Sequence, residues 1–383
     1  MMNEKKKRPL LILTGPTAVG KTELSIALAK KINGAVISAD SMQVYRGMDI
    51  GSAKVTPEEM QGVPHYLIDV LAPEDEFHVV RFQEMAKEAL QEIYEKKQIP
   101  IIAGGTGFYI QALLYDIDFT EQDEDTALRN HYAQLAEEHG NAYLHEMLRQ
   151  VDPVSAEMIH ANNVKRTIRA LEYFEKTGEP ISRHNEEERA KESPYDFRYF
   201  VLTDERAHLY ERIDHRVDLM LEAGLVKEVK RLRAQGCHKG MVSMQGLGYK
   251  EILSWLEGEI SYEEAVYLLK RDTRHFAKRQ LTWFRRERDV IWLNKPDYDY
   301  DDSDNSGGSS SGGDSDYVES DNGGDNSGGD DGSGGDTTGG DTTGGDTTGG
   351  DTSGGDDGYV DEGSGDDGGA SSEAAAEADP SAA

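Results

Sequence analysis

Short runs of apolar and β-branched residues recur along the first three quarters of the chain, with polar stretches between them. The runs occupy residues 10–13, 35–38, 66–70, 100–103, 199–202 and 290–293. Between several of them apolar residues recur at helical spacing, most clearly over 79–96. Alternation of strand and helix is typical of a parallel sheet covered by helices. We therefore predict an α/β fold with a parallel sheet built from these strands.

The strand pattern stops between about residues 120 and 196. Only helical periodicity remains there, over 127–138, 142–150 and 163–176, with breaks at the Asp-Pro pair 152–153 and the Gly-Glu-Pro triplet 178–180. Further on, two long helices are predicted over roughly 207–235 and 261–288. The simplest interpretation is a catalytic core formed by 1–119 and 197–296, into which an all-helical subdomain, 120–196, is inserted.

Composition changes sharply after residue 296. The chain of 383 residues has a formal net charge of −32, but residues 297–383 contain 25 Asp or Glu and no Lys or Arg, which leaves a net charge of −7 for residues 1–296. This tail consists mainly of Gly, Ser, Asp and Thr with a GGDTT repeat, and it has almost no apolar residues to bury. We expect 297–383 to be disordered. The alternating apolar position of glycine-rich calcium-binding repeats is missing.

The number of cysteines and the length of the apolar runs indicate in which cellular compartment the protein is expected. One cysteine, Cys237, excludes an internal disulfide framework and is typical of a reducing compartment. The apolar run near the start has only about five residues, too few for a signal peptide. No stretch approaches the ~20 apolar residues of a membrane span. We expect a soluble cytoplasmic protein, and no feature demands more than a monomer.

A phosphate-binding loop follows the first predicted strand. It fits the pattern G-x-x-x-x-G-K-[ST] completely, between an apolar run and a helical pattern. In such loops backbone N–H groups and a helix N-terminus surround oxyanions, the lysine adds positive charge, and the hydroxyl can reach Mg²⁺. The residues assigned to phosphate binding are Gly15, Pro16, Thr17, Ala18, Val19, Gly20, Lys21 and Thr22. The loop alone does not reveal which group the phosphates carry.

Two further loops follow strands at the sheet edge where ligands collect. Asp40 comes directly after the second strand, where it could bind Mg²⁺, act as a general base, or cap a turn. Ser41 and Gln43 are candidates for hydrogen bonds to a substrate, because Gln can pair with a base edge. The glycine-rich turn 104–107 either brings backbone close to the substrate or simply connects a strand to a helix.

Positive charge is concentrated on the predicted helix 261–288. Arg271, Arg274, Lys278 and Arg285 share one face of this helix. Because the folded part is otherwise acidic, contact with a polyanion is favoured over a solvated basic face.

Two smaller groups of basic residues lie on other predicted helices. Lys165, Arg166 and Arg169 form a patch on the helical insertion, with Thr167 beside them for a phosphate. Arg216 is either a phosphate ligand or an ion-pair partner of a neighbouring acid, Asp214 or Glu211. A kinase that acts on a small metabolite has no need of two basic surfaces, whereas an enzyme whose acceptor is a nucleic acid does.

Six blocks of sequence carry a specific family resemblance. In chain order they are GPTAVGKT, DSMQVYRGMDIGSAK, GGTGFY, VKRTIRALE, SMQGLGYKE and AKRQLTWFRR. They extend over about residues 8–293 and resemble the bacterial tRNA dimethylallyltransferases, or tRNA isopentenyltransferases, which implies a P-loop fold. That family moves a dimethylallyl group from its diphosphate to the exocyclic N6 amine of the adenosine next to the anticodon and releases pyrophosphate. The acidic tail is not part of the family pattern.

The resemblance implies a role for each motif. Residues 15–22 would hold the diphosphate of dimethylallyl diphosphate, with Thr22 near Mg²⁺. Asp40 would be the base at the adenine amine, and Thr106 and Arg216 would complete the catalytic set, with Arg216 neutralising the diphosphate. The implied contacts to the tRNA anticodon stem-loop are Asp40, Ser41, Met42, Gln43, Thr106, Arg129, Lys165, Arg166, Thr167, Ile168, Arg169, Gln245, Gly246, Gly248, Lys278 and Arg279.

The residues themselves leave three other functions open. One is prenylation of a free adenine nucleotide such as AMP, and a second is phosphorylation of a small metabolite. The third is a nucleotide-dependent RNA-binding switch without covalent chemistry.

Overall fold

A six-stranded parallel sheet forms the centre of the computed structural model, which describes residues 7–119 and 126–298. The spatial order is β3-β2-β4-β1-β5-β6, and every neighbouring pair is parallel. The strands are β1 (Arg8–Thr14), β2 (Gly34–Ala39), β3 (His65–Tyr66), β4 (Ile99–Gly104), β5 (Tyr195–Thr203) and β6 (Val290–Asn294). The predicted α/β fold is confirmed. The predicted disordered tail lies outside the described residues from 299 onward.

Helices connect the strands. Within the described residues they are α1 (Lys21–Ile32), α2 (Pro57–Met60), α3 (Val79–Glu95), α4 (Gly107–Leu114), α5 (Thr126–His139), α6 (Asn141–Val151), α7 (Pro153–Met158), α8 (Val164–Thr177), α9 (Ile181–Ala190), α10 (Arg206–Ala223), α11 (Leu225–Ala234), α12 (Tyr249–Leu256) and α13 (Tyr262–Phe284). Short 3₁₀ turns occupy Val242–Gln245 and Lys295–Tyr298. None of the helices in this part of the chain combines the length and apolar character needed to cross a membrane.

Apolar side chains cover both faces of the sheet. Along β1, Leu10 and Ile12 pack into one buried cluster, and Leu13 packs into another on the opposite face. The first cluster includes Phe82 of α3, and the second includes Ile213 of α10. Strands buried on both faces read as continuous apolar runs, which explains why the short apolar runs located them.

The third strand is shorter than predicted. The apolar run suggested a strand over 66–70, but β3 ends at Tyr66. Leu67 and Asp69 have φ values of 62° and 55°, in the left-handed region that a strand cannot contain. Leu67 is nevertheless buried, so the apolar run reflects a core position and not an extended strand.

One long predicted helix is two helices in the structure. The prediction over 207–235 is wrong at Gly224, whose φ of 106° ends α10 and precedes α11. Glycine adopts this left-handed conformation at a helix end without the steric penalty of a Cβ.

Helices α5 to α9 fill the stretch between α4 and β5, and no strand interrupts the described part of it. They share a hydrophobic cluster of their own that includes Leu144, Leu148 and Leu171. Asp152 joins α7 to α9, because its carboxylate accepts hydrogen bonds from the backbone N–H and the hydroxyl of both Ser155 and Ser182. The division into a core and an inserted subdomain stays a prediction.

Candidate active site

The loops that follow β1, β2 and β4 border one cavity of about 500 Å³. Sheet register places Thr14 beside Gly104, and Gly104 beside Ala39. The Thr14 hydroxyl donates to the Gly104 carbonyl at 2.7 Å, and the backbone N–H of Thr106 donates to the Ala39 carbonyl at 3.2 Å. The structure thus brings together the three loops that the sequence singled out.

The phosphate loop needs glycine at its two ends. Gly15 has a φ of 144°, and a Cβ there would lie 2.4 Å from the Leu202 carbonyl oxygen; Gly20 has a φ of 101°. Five of its residues border the cavity, namely Thr17, Ala18, Gly20, Lys21 and Thr22. Val19 is buried in the core cluster beside α1, so its side chain faces the protein. Gly15 and Pro16 are also buried and do not border the cavity.

Lys21 lies at the first position of α1 and turns back onto the loop. Its Nζ donates to the carbonyl oxygens of Gly15 (2.9 Å) and Pro16 (2.7 Å). The pKa of Lys21 is lowered from 10.5 to about 7, mainly by burial and also by the charge of Arg216, while the charge of Asp40 opposes both effects. An anion in the loop would favour the charged form of this lysine.

Arg216 lies on α10 and borders the same cavity. Burial lowers its pKa, and the nearby Asp40 opposes that shift, but a guanidinium stays charged at neutral pH. Asp214, one of its two possible ion-pair partners, is instead bound to Arg274, with 2.7 Å from Nη1 to Oδ2. The position of Arg216 therefore favours the phosphate-ligand interpretation.

The two carboxylate oxygens of Asp40 differ in their hydrogen bonds to the protein. Its Oδ1 accepts hydrogen bonds from the backbone N–H groups of Met42 (2.8 Å) and Gln43 (3.3 Å). No described residue donates a hydrogen bond to Oδ2. The turn-capping role is therefore real, and it leaves a carboxylate oxygen in the cavity lining that could accept a proton.

The residues after Asp40 are less free than the sequence suggested. The Gln43 amide already donates to the carbonyls of Ser52 (3.5 Å) and Ala53 (3.3 Å), although Gln43 borders the cavity. Ser41 is buried and does not border it. Met42 lies against Gly246, where a Cβ would be 2.5 Å from the Met42 Cε. This contact brings Gly246 next to the Asp40 loop, and the implied role of both in binding tRNA stays a prediction.

Thr106 is buried at the start of α4. Its hydroxyl makes no hydrogen bond at the helix N-terminus, so the side chain is not used for capping.

Sequence reasoning missed two cationic residues near the phosphate loop. Arg212, one helical turn before Arg216, borders the cavity and its Nε donates to the Ala18 carbonyl at 3.0 Å. Lys295, just after β6, has its Nζ 3.8 Å from the position that a Cβ of Gly20 would take. The spacing of four from Arg216 could have indicated Arg212, whereas no local pattern indicates Lys295.

A buried glutamate that the sequence analysis did not single out holds the loop after Asp40. The Glu228 carboxylate on α11 accepts hydrogen bonds from four donors, namely the backbone N–H groups of Asp49 (3.0 Å), Ile50 (2.9 Å) and Gly51 (3.1 Å) and the hydroxyl of Tyr249 (2.8 Å). A Cβ at Gly51 would lie 2.4 Å from the Tyr249 ring. Ser52, the next residue, borders the cavity, so this anchor fixes part of the cavity wall.

Gln280 on α13 was also missed. It is buried, it borders the cavity, and its amide bonds to both the phosphate loop and the turn after β4.

Among the implied tRNA contacts on α5 and α8, some side chains are exposed and one is already bound to another residue of the protein. Lys165 and Arg169 are exposed and Arg166 is half-buried. Arg129 forms a two-bond ion pair with the buried Glu172, at 3.1 and 3.0 Å.

Two residues of the same motif face the protein. Thr167 and Ile168 are buried, and the Thr167 hydroxyl donates to the Asn163 carbonyl at 3.1 Å. The periodicity of α8 turns them toward the core, so the structure does not present their side chains beside Lys165 and Arg169.

The basic face predicted on the long helix is partly neutralised in the structure. Arg274 pairs with Asp214 of α10, and Arg271 pairs with Asp272. Lys278 is exposed and Arg279 is half-buried, and no described acidic residue forms an ion pair with either. The expectation of one continuous cationic face is therefore corrected, because α10 supplies Asp214 and α13 itself supplies Asp272 as ion-pair partners.

The remaining implied contacts lie in the segment 244–249. Gln245 is exposed, and its side-chain amide donates to the Lys239 carbonyl. Gly248 has a φ of 92° and precedes α12, so only its backbone could meet a substrate.

The donor set for a metal ion is small. Among the described residues, no group of three or more His, Cys, Asp or Glu side chains could hold a metal. Thr22 is exposed at the second position of α1 and borders the cavity. Mg²⁺ commonly uses one or two protein ligands together with substrate phosphates and water, so this chemistry fits the residues present.

Residues 43–287 match the family model described as IPP transferase. The chain belongs to the IPP transferase family. A relative in that family, the tRNA dimethylallyltransferase of Lachnoclostridium phytofermentans, is 68% identical over 296 residues, which cover 77% of this chain and 95% of the relative. The predicted family resemblance is confirmed.

Solved structures of the family show the same fold. The full-length tRNA isopentenylpyrophosphate transferase of Bacillus halodurans is 44% identical, with a TM-score of 0.57, over 76% of this chain and 90% of its own. A eukaryotic dimethylallyltransferase acting on tRNA is 31% identical, with a TM-score of 0.63, over 75% of this chain and 74% of its own.

Proposed function

We propose that this protein is a tRNA dimethylallyltransferase. It transfers the dimethylallyl group of dimethylallyl diphosphate to the exocyclic N6 amine of the adenosine next to the anticodon and releases pyrophosphate. The observation that carries the proposal is that the phosphate loop, the cations Lys21, Arg212 and Arg216, and the carboxylate of Asp40 all border one cavity. Sequence identity of 68% to a tRNA dimethylallyltransferase supports it.

The donor side of the cavity suits a diphosphate leaving group. The amides of the phosphate loop, Lys21 and Arg216 stabilise the negative charge that develops on the diphosphate as the carbon–oxygen bond breaks. The Thr22 hydroxyl would help to hold Mg²⁺ in this cavity, where the ion would supply Lewis-acid stabilisation of that charge. The loop therefore retains the departing pyrophosphate, and no phosphoryl group moves.

The acceptor side requires positioning and a base. The lone pair of the adenine amine is delocalised into the ring, so the amine is a poor nucleophile. In the reaction the N6–C1 bond forms, the C1–O bond breaks, the bonding electrons leave with pyrophosphate, and an N6 proton passes to Oδ2 of Asp40. Correctly oriented reactants reach effective molarities of about 10⁵ to 10⁸ M, so alignment supplies much of the rate enhancement.

The acceptor is tRNA in this proposal, and the enzyme acts as a monomer in the cytoplasm. An adenine must leave its stack to enter a cavity, and a nucleotide in a single-stranded loop can be extruded at lower energy than a paired one. The exposed Lys165, Arg169 and Lys278 supply cationic surface for the RNA backbone.

Mass spectrometry of digested tRNA tests the proposal. After incubation with dimethylallyl diphosphate and Mg²⁺, one adenosine should gain C₅H₈, and AMP should remain nearly unmodified. Equal modification of AMP would favour a nucleotide prenyltransferase. Steady ATP consumption with a phosphorylated product would favour a kinase, and tRNA binding without any mass change would favour a switch.

A further inference from the structure

We infer that Gln280 is a positioning residue for the transfer reaction, which fixes the phosphate loop against the turn after β4. The inference rests on the proposed function and adds a residue to the machinery that aligns the leaving group with the acceptor. It depends on three observations: the two hydrogen bonds of the Gln280 amide, the space left by two glycines, and the contacts of α13.

The Gln280 amide joins two loops that are distant in sequence. The side chain is only 4% exposed. Its Oε1 accepts from the backbone N–H of Thr17 at 2.8 Å, and its Nε2 donates to the carbonyl of Gly105 at 3.0 Å. A backbone N–H can only donate and a carbonyl can only accept, so these partners dictate the orientation of the amide. One rigid planar group therefore sets the spacing between the two loops.

Glycines in the turn leave room for α13. A Cβ at Gly105 would lie 2.1 Å from the Gln280 Nε2, and a Cβ at Gly107 would lie 2.1 Å from the Trp283 Cδ1. Neither glycine has a positive φ, so conformational freedom does not explain them. The close approach of α13 explains both glycines, and it is a reason for them that the sequence did not suggest. Gly104 and Gly105 also border the cavity, so close approach of the turn to the substrate stays a prediction. These glycines admit a helix of the protein.

Helix α13 is also joined by ion pairs to α10, the helix that carries Arg216. Lys270 and Arg274 of α13 pair with Asp218 and Asp214 of α10. Phe276, one turn before Gln280, borders the cavity. Gln280 is thus the point where a helix already fixed to α10 holds both loops, and its loss would change the distance between donor and acceptor sites.

The decisive variant is Gln280→Met, which keeps the volume of the side chain and removes both hydrogen bonds. A displacement of about 1 Å between reacting groups can lower a rate about 100-fold. We expect kcat at saturation with both substrates to fall by about 10- to 100-fold, while the tRNA dissociation constant stays within about 2-fold.

The matched control is Gln83→Met. Gln83 is comparably buried on α3, and its amide donates to the Ala112 and Ile117 carbonyls, but it does not border the cavity. The control should lower the thermal midpoint by a similar amount and leave kcat within about 3-fold of the wild type.

A second variant decides the matter if Gln280→Met does not fold. Gly105→Ala displaces the Gln280 amide without removing it, and it should produce the same selective loss of kcat. Equal kcat losses in Gln280→Met and Gln83→Met, or full turnover in Gly105→Ala, would overturn the inference. A wild-type protein that fails to prenylate tRNA would instead refute the proposed function, so the two failures are distinguishable.

Discussion

Replacement of Asp40 by asparagine separates the structural role of this residue from its chemical role. Asn has the same shape, and its side-chain oxygen can keep the hydrogen bonds from the backbone N–H groups of Met42 and Gln43, at 2.8 and 3.3 Å. Stability should therefore change by less than about 1 kcal/mol. The amide cannot take the N6 proton in place of Oδ2, and loss of a general base lowers turnover by about 10² to 10⁴.

Single-turnover kinetics at saturation with both substrates measure this loss without interference from binding. The Asp40→Asn variant should bind tRNA within a few-fold of the wild type, and the exposed Asp118→Asn serves as a control for a surface carboxylate. Asp40 also supports the charge of Lys21, so the pH at which diphosphate affinity begins to fall should move below 7 in the variant. Unchanged turnover would remove Asp40 from the role of base.

Three further predictions address the phosphate loop, the loop anchor and the tRNA surface. The pKa of Lys21 is about 7 in the free protein and is raised by a bound anion, so diphosphate affinity should be full below pH 7 and fall as pH rises above it. In titration calorimetry, Lys21→Arg should abolish this dependence of diphosphate affinity on pH. Glu228→Gln turns an NH₂ group toward buried donors and should lower the free energy of unfolding by about 3 kcal/mol. The thermal midpoint should then fall by about 6 to 10 °C. The exposed Glu222→Gln is the control and should change neither quantity. Combined charge reversal at Lys278 and Arg279 should flatten the salt dependence of tRNA binding by about one unit of slope for each lost phosphate contact, and an unaltered slope would make this surface a solvated face.

The parts of the site that lie within one contiguous motif could be predicted from the sequence. The phosphate loop is eight consecutive residues that follow β1 and run into the first turn of α1, and Asp40 directly follows β2. The rule that ligands collect at the carboxyl ends of parallel strands then places both motifs at one edge. Local pattern and sheet topology are sufficient for these two elements.

For residues that act across long sequence separations, the sequence indicates that the side chain is buried and hydrogen-bonded, but it does not indicate the partner. Glu228 lies among the buried Leu225 and Val229 of α11, and Gln280 lies between the buried Ala277 and Phe284 of α13. A polar residue on the apolar face of a helix signals a buried hydrogen bond, because leaving such a group unpaired is costly. The partners of these two side chains are mostly backbone groups of distant loops, and the sequence pattern carries no information on them.

Charge patterns failed where neighbouring helices meet. The face of α13 looked cationic because the residues of one helix were considered alone. In the folded protein, Asp214 of α10 neutralises Arg274 of this face, and Asp272 of α13 neutralises Arg271. The electrostatic character of a helix face therefore depends on the helix packed beside it.

The fate of the phosphorus atoms tests most directly the claim that the loop binds a leaving group. A single turnover with tRNA should use dimethylallyl diphosphate labelled in phosphorus in one reaction and in carbon in another. Carbon label should appear on one adenosine of the tRNA, with an equal amount of phosphorus label released as pyrophosphate. Phosphorus label on the acceptor, or pyrophosphate released without carbon on the tRNA, would contradict the account.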